Sequence, residues 1–165
     1  MGSLSYGLCW VLGLTCASVV QAECGSVGVY QVITVAYAGD APANAVLDKN
    51  SGLQWRRCEE GQRWSGVACL GVGQQLTHEQ ALLQVAKKSM WQLPDVKQIT
   101  SLAQRACRFP ALHSSVFVTG ELSSHYWSST PFVSASRSAW RFEVNTGRVN
   151  LVDRDTRAGV RVLRR

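Results

Sequence analysis

The chain has 165 residues, 46% of them hydrophobic, and a formal net charge of +6. Its length suffices for one domain with a single core, and no internal repeat or long low-complexity stretch is visible. Its N-terminal apolar run is shorter than the roughly 20 residues that a membrane-spanning helix needs.

Residues 1–22 are predicted to be an export signal. From Leu8 to Val20 the chain is apolar or small, and Ala22 provides the small side chain that a signal peptidase requires before a cut at Glu23. The mature domain is then periplasmic, secreted or on the cell surface, with no transmembrane span after signal removal.

The remaining chain divides into an arm and a body. Residues 23–45 are rich in Gly, Ala and Val and light in charge, which indicates an N-terminal arm or strand. Residues 46–165 form the predicted domain. The segment AVLDKNSGLQWRRC at its start predicts a strand, a turn at Asn50-Ser51-Gly52 and a second strand.

Two helices follow. Thr77 is the predicted N-cap of the first, with Gln80 completing a capping box. Its apolar face is predicted at Leu82, Leu83, Val85 and Ala86. Asp95 caps the second, in which apolar residues recur at helical spacing: Ile99, Leu102, Ala103 and Ala106.

The C-terminal part carries the clearest strand pattern. In SAWRFEVNTGRVNLVDR, apolar and polar residues alternate on both sides of a turn at Asn145-Thr146-Gly147, and Val160 and Val162 flank Arg161. We predict a three-stranded antiparallel meander with one apolar face and one face that carries arginines. The fold class is therefore α+β, with two helices packed on a small twisted antiparallel sheet and long loops.

Four cysteines remain after signal removal and predict two disulfides, for which three pairings are possible. Cys58 and Cys69 bracket a short glycine-containing loop and are the expected local pair, which leaves Cys24 with Cys107. The alternative, a zinc site, needs closely spaced ligands that these cysteines do not provide. We expect no metal and no cofactor.

Six segments occur in an order that resembles a known family: VLDKNSGLQWRRC, CEEGQRWSGVAC, WQLPDVKQITSL, YWSST, AWRFEVNTGRV and GVRVLRR. Together they are similar to the Lcl C-terminal domain family, named after the last domain of a bacterial collagen-like adhesin. The resemblance implies an exported bacterial protein whose fold is related to C-type lectins and to the formylglycine-generating enzyme.

The sequence differs from C-type lectins and from the formylglycine-generating enzyme at the residues that carry their activities. The calcium-dependent lectin motifs are replaced by LPD and WSS, which do not supply the required oxygen ligands. The chain has no cysteine after Cys107, whereas the formylglycine-generating enzyme uses a late cysteine pair. Neither activity is carried over, and no catalytic motif such as H-E-x-x-H or G-x-S-x-G is present.

The arginines are the main functional signal. From Arg137 to Arg165 there are eight arginines and three acids, a net charge of +5 in 29 residues. Guanidinium groups bind sulfate, carboxylate or phosphate through paired hydrogen bonds. The alternative is a solvated strand face with no ligand. The predicted anion or glycan site comprises Arg141, Arg148, Arg154, Arg157 and Arg161, with Trp64 and Tyr126 as exposed rings that stack on a sugar.

We therefore expect a non-enzymatic binding or adhesion domain that recognises an acidic polysaccharide or an envelope or matrix component. Nucleic acid is not expected as a partner, because export separates the protein from most of it. The alternative is a structural or assembly subunit of an envelope complex, pilus or secretion apparatus, with a protein partner or as a homo-oligomer. An uncharacterised hydrolase is the third hypothesis.

Overall fold

The computed structural model describes residues 29–104, 107, 109–118 and 123–165. In this part of the chain the order of elements is β1 (Tyr30–Ile33), β2 (Ala45–Asp48), β3 (Gln54–Arg56), β4 (Arg63–Trp64), β5 (Cys69–Leu70), α1 (His78–Ala86), α2 (Val96–Thr100), β6 (His125–Pro131), β7 (Ser138–Glu143), β8 (Val149–Asp153) and β9 (Leu163–Arg164). The sheets, all antiparallel, have the orders β1-β2-β3-β9, β4-β5 and β6-β7-β8. The predicted α+β class with two helices and small antiparallel sheets is confirmed.

The β2–β3 hairpin forms where the sequence predicted it. The Asp48 carboxylate accepts hydrogen bonds from the Asn50 backbone N–H at 2.9 Å and from the Ser51 hydroxyl at 2.6 Å. Gly52 has a φ of 71°, which glycine adopts without the penalty that a side chain imposes. These local bonds fix the turn and set the register of the first sheet.

Both helices begin with a capping box; the first was predicted in full, and the second only at its cap residue, Asp95. Thr77 and Asp95 accept from the backbone N–H groups of Gln80 and Gln98, whose side chains accept from the cap backbone N–H groups in return. The second helix is shorter than its apolar spacing indicated. It stops at Thr100, before the predicted positions Leu102 and Ala103. Of its predicted apolar positions, Ala106 lies outside the described residues.

The buried stripe of α1 differs from the predicted one. The helix buries His78, Ala81 and Val85, a stripe that faces β6, while Leu82 and Leu83 are 37% and 59% exposed. The prediction was wrong for these leucines and for the exposed Ala86, because the narrow contact with the sheet leaves the neighbouring positions in solvent.

The meander is made of different strands from those predicted. Its third strand is β6, which pairs with β7, and not residues 160–162. The final segment instead runs beside β6, with Gly159 opposite Tyr126, and continues into β9, which pairs with β3. The end of the chain thus joins the first sheet to the meander.

Both faces of the meander pack against a core cluster. Tyr126, Phe142 and Val149 belong to one cluster, whereas Trp127, Ala139 and Val152 belong to the other. The prediction of one apolar face and one arginine face was therefore wrong: apolar residues occupy both sets of alternate positions, so the sheet is covered on both sides over much of its area.

One of the two predicted disulfides is seen. Cys58 and Cys69 are bonded, with their Cα atoms 5.6 Å apart, as their local spacing predicted. Cys107 is disulfide-bonded as well, but Cys24, its predicted partner, lies outside the described residues, as does the predicted signal at residues 1–22.

Part of the predicted arm is a strand. Residues 30–33, within the segment 23–45, form β1 and pair with β2. Among the described residues, neither helix has the length and apolar character needed to cross a lipid bilayer.

Candidate anion-binding face

The strand register places two of the predicted arginines on one face of the meander. Arg141 lies opposite Trp127 on one neighbouring strand and opposite Asn150 on the other. Since successive residues of a strand alternate between faces, Arg148, two residues before Asn150, points to the same side. We call Arg141, Arg148, Asn150, Glu143 and His125 the arginine face; His125 is there because it pairs with Glu143.

The arginines of this face are not neutralised within the described structure. Arg141 is half-buried and donates from Nε to the Asn150 amide oxygen at 2.9 Å, and Arg148 is exposed. Neither forms an ion pair with any described acid. Glu143 instead accepts from the Thr146 hydroxyl at 2.8 Å. Two guanidinium groups thus keep donors available to an external anion.

The pKa of His125 reflects the charges on the arginine face. Its pKa is lowered, first by burial and then by the positive charge of Arg141, and the opposing effect of Glu143 is smaller. Burial also lowers the pKa of Arg141, with Glu143 acting in the opposite direction. The cation therefore outweighs the acid at this end of the meander.

Arg154 and Arg157 lie away from these residues, Arg154 at the opposite end of the same side of the meander. Arg154 is six residues beyond Arg148, which corresponds to about 20 Å along an extended strand, and donates to the Ser138 carbonyl at 3.4 Å. Arg157 is exposed and donates to the Gln75 carbonyl at 3.0 Å. The five predicted arginines do not form one continuous surface.

The hollow around Arg154 has mixed charge. It has a volume of 470 Å³ and is lined by His78, Glu79, Leu82, Ser136, Arg137, Asp153, Arg154 and Asp155. Arg137 already contacts Asp153 at 3.4 Å and Asp155 at 3.1 Å. With three acids against two arginines, this hollow does not favour an anion.

Arg161 is a core residue, so its predicted exposure was wrong. It is fully buried and donates to the backbone carbonyls of Arg56, Arg57 and Val118, at 3.0, 2.6 and 2.7 Å. Its guanidinium also lies 3.8 Å from the Glu59 carboxylate. A buried cation needs such compensation, which makes Arg161 a link between the last segment and the first half of the chain.

The two rings predicted to stack on a sugar are also buried, so the prediction that they are exposed was wrong. Tyr126 is fully buried and donates its hydroxyl to Glu59, and burial raises its pKa. Trp64 is 3% exposed and donates from Nε1 to the Pro42 carbonyl at 3.0 Å, with the Arg57 guanidinium 4.0 Å from the ring centre. Neither ring is accessible to a glycan.

A second buried arginine was missed by the sequence reasoning. Arg56 contacts Asp40 at 3.0 Å and Glu60 at 3.4 Å, and its guanidinium stacks 3.7 Å from the centre of the Tyr37 ring. Lys88 also reaches Glu60, at 3.2 Å. No sequence signal indicated this cluster, because its members come from separate elements.

Two of the histidines contact neighbouring polar groups. His78 Nε2 lies 3.0 Å from the Ser128 carbonyl oxygen, in a buried contact. His125 Nδ1 lies 2.8 Å from the Ser124 hydroxyl, but no described acid is within ion-pair distance of its ring. A search of the described residues also finds no cluster of three or more His, Cys, Asp or Glu arranged to hold a metal.

Comparison with known protein families matches residues 44–164 to the Lcl C-terminal domain. No curated protein matches the chain at a significant level. The matched residues include both helices and ten of the eleven described secondary-structure elements. The chain therefore belongs to the Lcl C-terminal domain family.

Proposed function

We propose that this chain is an exported, non-enzymatic binding domain that recognises an acidic glycan on a cell envelope or matrix through its arginine face. The observation that carries the proposal is that Arg141 and Arg148 have no acidic partner among the described residues. Both lie on one side of the meander and neither pairs with a described acid.

The contrast with the other C-terminal arginines supports this assignment. Arg137 is bound to two aspartates, and Arg161 is buried beside Glu59. Leaving Arg141 and Arg148 unpaired on adjacent strands keeps two guanidinium forks for bidentate binding of sulfate or carboxylate.

Family membership supports the setting of the proposed activity. The Lcl C-terminal domain takes its name from a bacterial collagen-like adhesin, which favours a cell-surface or periplasmic location. We also propose that the fold is related to C-type lectins. Two helices packed near small antiparallel sheets, with a final strand that returns to the first sheet, are in keeping with that relation.

Chromatography on an immobilised sulfated polysaccharide, with a neutral polysaccharide as reference, tests the proposal. We expect the protein to be retained only on the sulfated matrix and to elute as salt rises, because salt screens charge contacts. The double variant R141A/R148A should elute at clearly lower salt.

The matched control is R154A/R157A, which removes the same charge from the same C-terminal segment. We expect it to elute close to the wild-type protein. Retention that ignores salt, or an equal loss in both double variants, would show that the arginine face is not the binding surface.

The second candidate function, an assembly subunit, is favoured by a different observation. Three apolar side chains around the disulfide loop are exposed: Val67 at 88%, Val72 at 69% and Leu70 at 49%. Exposed apolar clusters of this kind can mark protein contacts. Purification of the tagged chain with a stoichiometric protein partner that is lost in V67S/V72S would favour this function over glycan binding.

A further inference from the structure

A hollow in the described part of the structure is lined in part by Arg148 of the arginine face. It has a volume of 670 Å³ and is lined by Thr100, Ala103, Gln104, Cys107, Phe109, Ala111, Asn145, Thr146, Gly147 and Arg148. We call it the Phe109 hollow. Arg148 lines the hollow and also belongs to the arginine face, whereas Ala103 in the same lining packs on the Phe142 side of the meander. The hollow thus lies around the end of the β7–β8 hairpin from Arg141, with Arg148 as the residue that they share.

Small residues make the floor of the hollow. A Cβ atom at Gly147 would lie 2.9 Å from the Cβ of Ala103 and 3.1 Å from that of Ala111, closer than side-chain carbons pack. Gly147 also has a φ of 71°. Glycine is thus required both for the turn and for the depth of the hollow.

Backbone hydrogen bonds hold the walls in place. Ala111 donates to the Val144 carbonyl at 2.8 Å, and Phe109 donates to the Asn145 carbonyl at 3.2 Å. The loop that carries Phe109 is therefore attached to the β7–β8 turn that carries Arg148. These bonds fix the backbone at Phe109 relative to the backbone of the turn that carries Arg148.

Phe109 is unusual in two respects. Its side chain is 74% exposed, although burial of an aromatic ring is among the most favourable contributions to folding. Its backbone has a φ of 56°, a conformation that residues with a side chain rarely adopt. An exposed ring held in a costly conformation at the rim of a hollow is better explained by a ligand than by stability.

The polar lining of the hollow narrows the ligand class. The Thr100 and Thr146 hydroxyls are already bound to the Val96 carbonyl and to Glu143. Asn145 and Arg148 keep side-chain groups that are not engaged with described residues, and Arg148 is the only charged side chain in the described lining. The site therefore combines one aromatic face, one cation and two amides, of which Gln104 already donates to the Tyr30 hydroxyl and Asn145 does not.

We propose that the Phe109 hollow binds a single anionic pyranose residue, with the sugar ring against Phe109, its carboxylate or sulfate on Arg148 and a hydroxyl on Asn145. This rests on the proposed glycan-binding function and assigns to it the sugar-stacking ring that neither Trp64 nor Tyr126 can provide. A ring contact recognises the apolar face of the sugar, and the guanidinium recognises its charge.

Titration of the full chain with three monosaccharide probes, followed by saturation-transfer NMR and calorimetry, tests the assignment. The probes are methyl glucuronide, glucose 6-sulfate and methyl glucoside, which differ in the anionic group. We expect at least one of the two anionic probes to bind more tightly than the neutral one. F109A should weaken that binding about tenfold, and F109W, which keeps an aromatic face, should retain it.

The matched control is V133A, which truncates an apolar side chain that is 96% exposed and lies outside the hollow. Circular dichroism of each variant establishes that it is folded. Equal binding of the neutral and anionic probes, no binding of any probe, or equal affinity in F109A and wild type would each overturn the assignment.

Failure of this assignment is distinguishable from failure of the proposed function. F109A does not change the charge of the protein. If the protein is retained on the sulfated matrix in a salt-sensitive way and F109A has no effect on monosaccharide binding, the assignment of the hollow alone is overturned. If the wild-type protein neither is retained on the sulfated matrix nor binds a monosaccharide, the assignment of the hollow and the proposed function are both overturned.

Discussion

Two pairs of arginines in this chain have opposite environments. Arg56 and Arg161 are buried and neutralised by Asp40, Glu60 and Glu59, whereas Arg141 and Arg148 lie on the meander without a described acidic partner. The buried pair connects strands and loops that are distant in sequence. The surface pair contributes little to those connections, so the same residue type stabilises the fold in one place and is available for binding in the other.

The environments of the two pairs indicate which arginines stabilise the fold and which are available to a ligand, whereas the net charge of the chain does not. Removing a buried cation leaves an acid in a medium that solvates it poorly, which costs free energy. Removing a solvated cation costs little stability but takes away a donor for an external anion. Substitutions in the two pairs should therefore affect different measurements.

The largest effect is expected for Arg161→Met, which keeps side-chain volume and removes the charge. The three backbone carbonyls that Arg161 binds lose their donor, its contact with the buried Glu59 is lost, and the free energy of unfolding should fall by about 3–5 kcal/mol. Arg157→Met, at an exposed position, should change it by no more than about 0.5 kcal/mol. Urea unfolding monitored by tryptophan fluorescence measures both, and equal values for the two variants would contradict the structural role of Arg161.

A smaller loss is expected for Arg56→Lys. Lysine keeps the charge but cannot reproduce the guanidinium bonds to Asp40 and to the Gln62 carbonyl, or the stacking on Tyr37. We expect unfolding to become easier by about 1–3 kcal/mol. The matched substitution Arg63→Lys, on the surface, should leave the unfolding midpoint nearly unchanged. A midpoint for Arg56→Lys as high as that of wild type would show that charge alone suffices there.

A modest pH dependence is expected from His78. Burial is the main cause of its lowered pKa, with Arg154 acting in the same direction and the Ser128 carbonyl opposing both. The unfolded chain therefore binds a proton more readily than the folded one, so stability is complete above the unfolded value of about 6.5 and falls as pH drops toward the folded pKa.

His78→Gln should flatten this slope. Thermal unfolding between pH 7.5 and pH 5 measures it, with His125→Gln as the comparison, because the pKa of His125 is lowered as well. Each substitution should remove part of the wild-type slope. A slope that is unchanged in His78→Gln would contradict the buried, neutral state of this side chain.

The features predicted correctly from the sequence are those fixed by near neighbours. The turn at Gly52, the helix caps at Thr77 and Asp95 and the bond between Cys58 and Cys69 each depend on residues within about a dozen positions. Their hydrogen bonds or covalent links form inside one short segment, so the residue types alone specify them.

The wrong predictions concern which face of a strand is covered. Alternation around Trp140 identifies β7 but not its partners, the alternation around Val162 does not correspond to a strand, and the meander is packed on both sides. Arg161 was assigned to the surface because its acid, Glu59, is on a distant segment. The Phe109 hollow was missed for the same reason, since its ring and its guanidinium meet only in the folded chain.

The affinity for a sulfated oligosaccharide, measured by calorimetry at physiological salt, tests the division between the two kinds of arginine most directly. The variants are R141A/R148A and K49A/K87A, which each remove two exposed or half-buried positive charges from the chain. We predict that R141A/R148A raises the Kd at least tenfold, because the loss of about one charge-assisted hydrogen bond weakens the binding free energy by a corresponding amount. K49A/K87A should change the Kd about twofold or less. Equal Kd values for the two variants would contradict recognition through the arginine face.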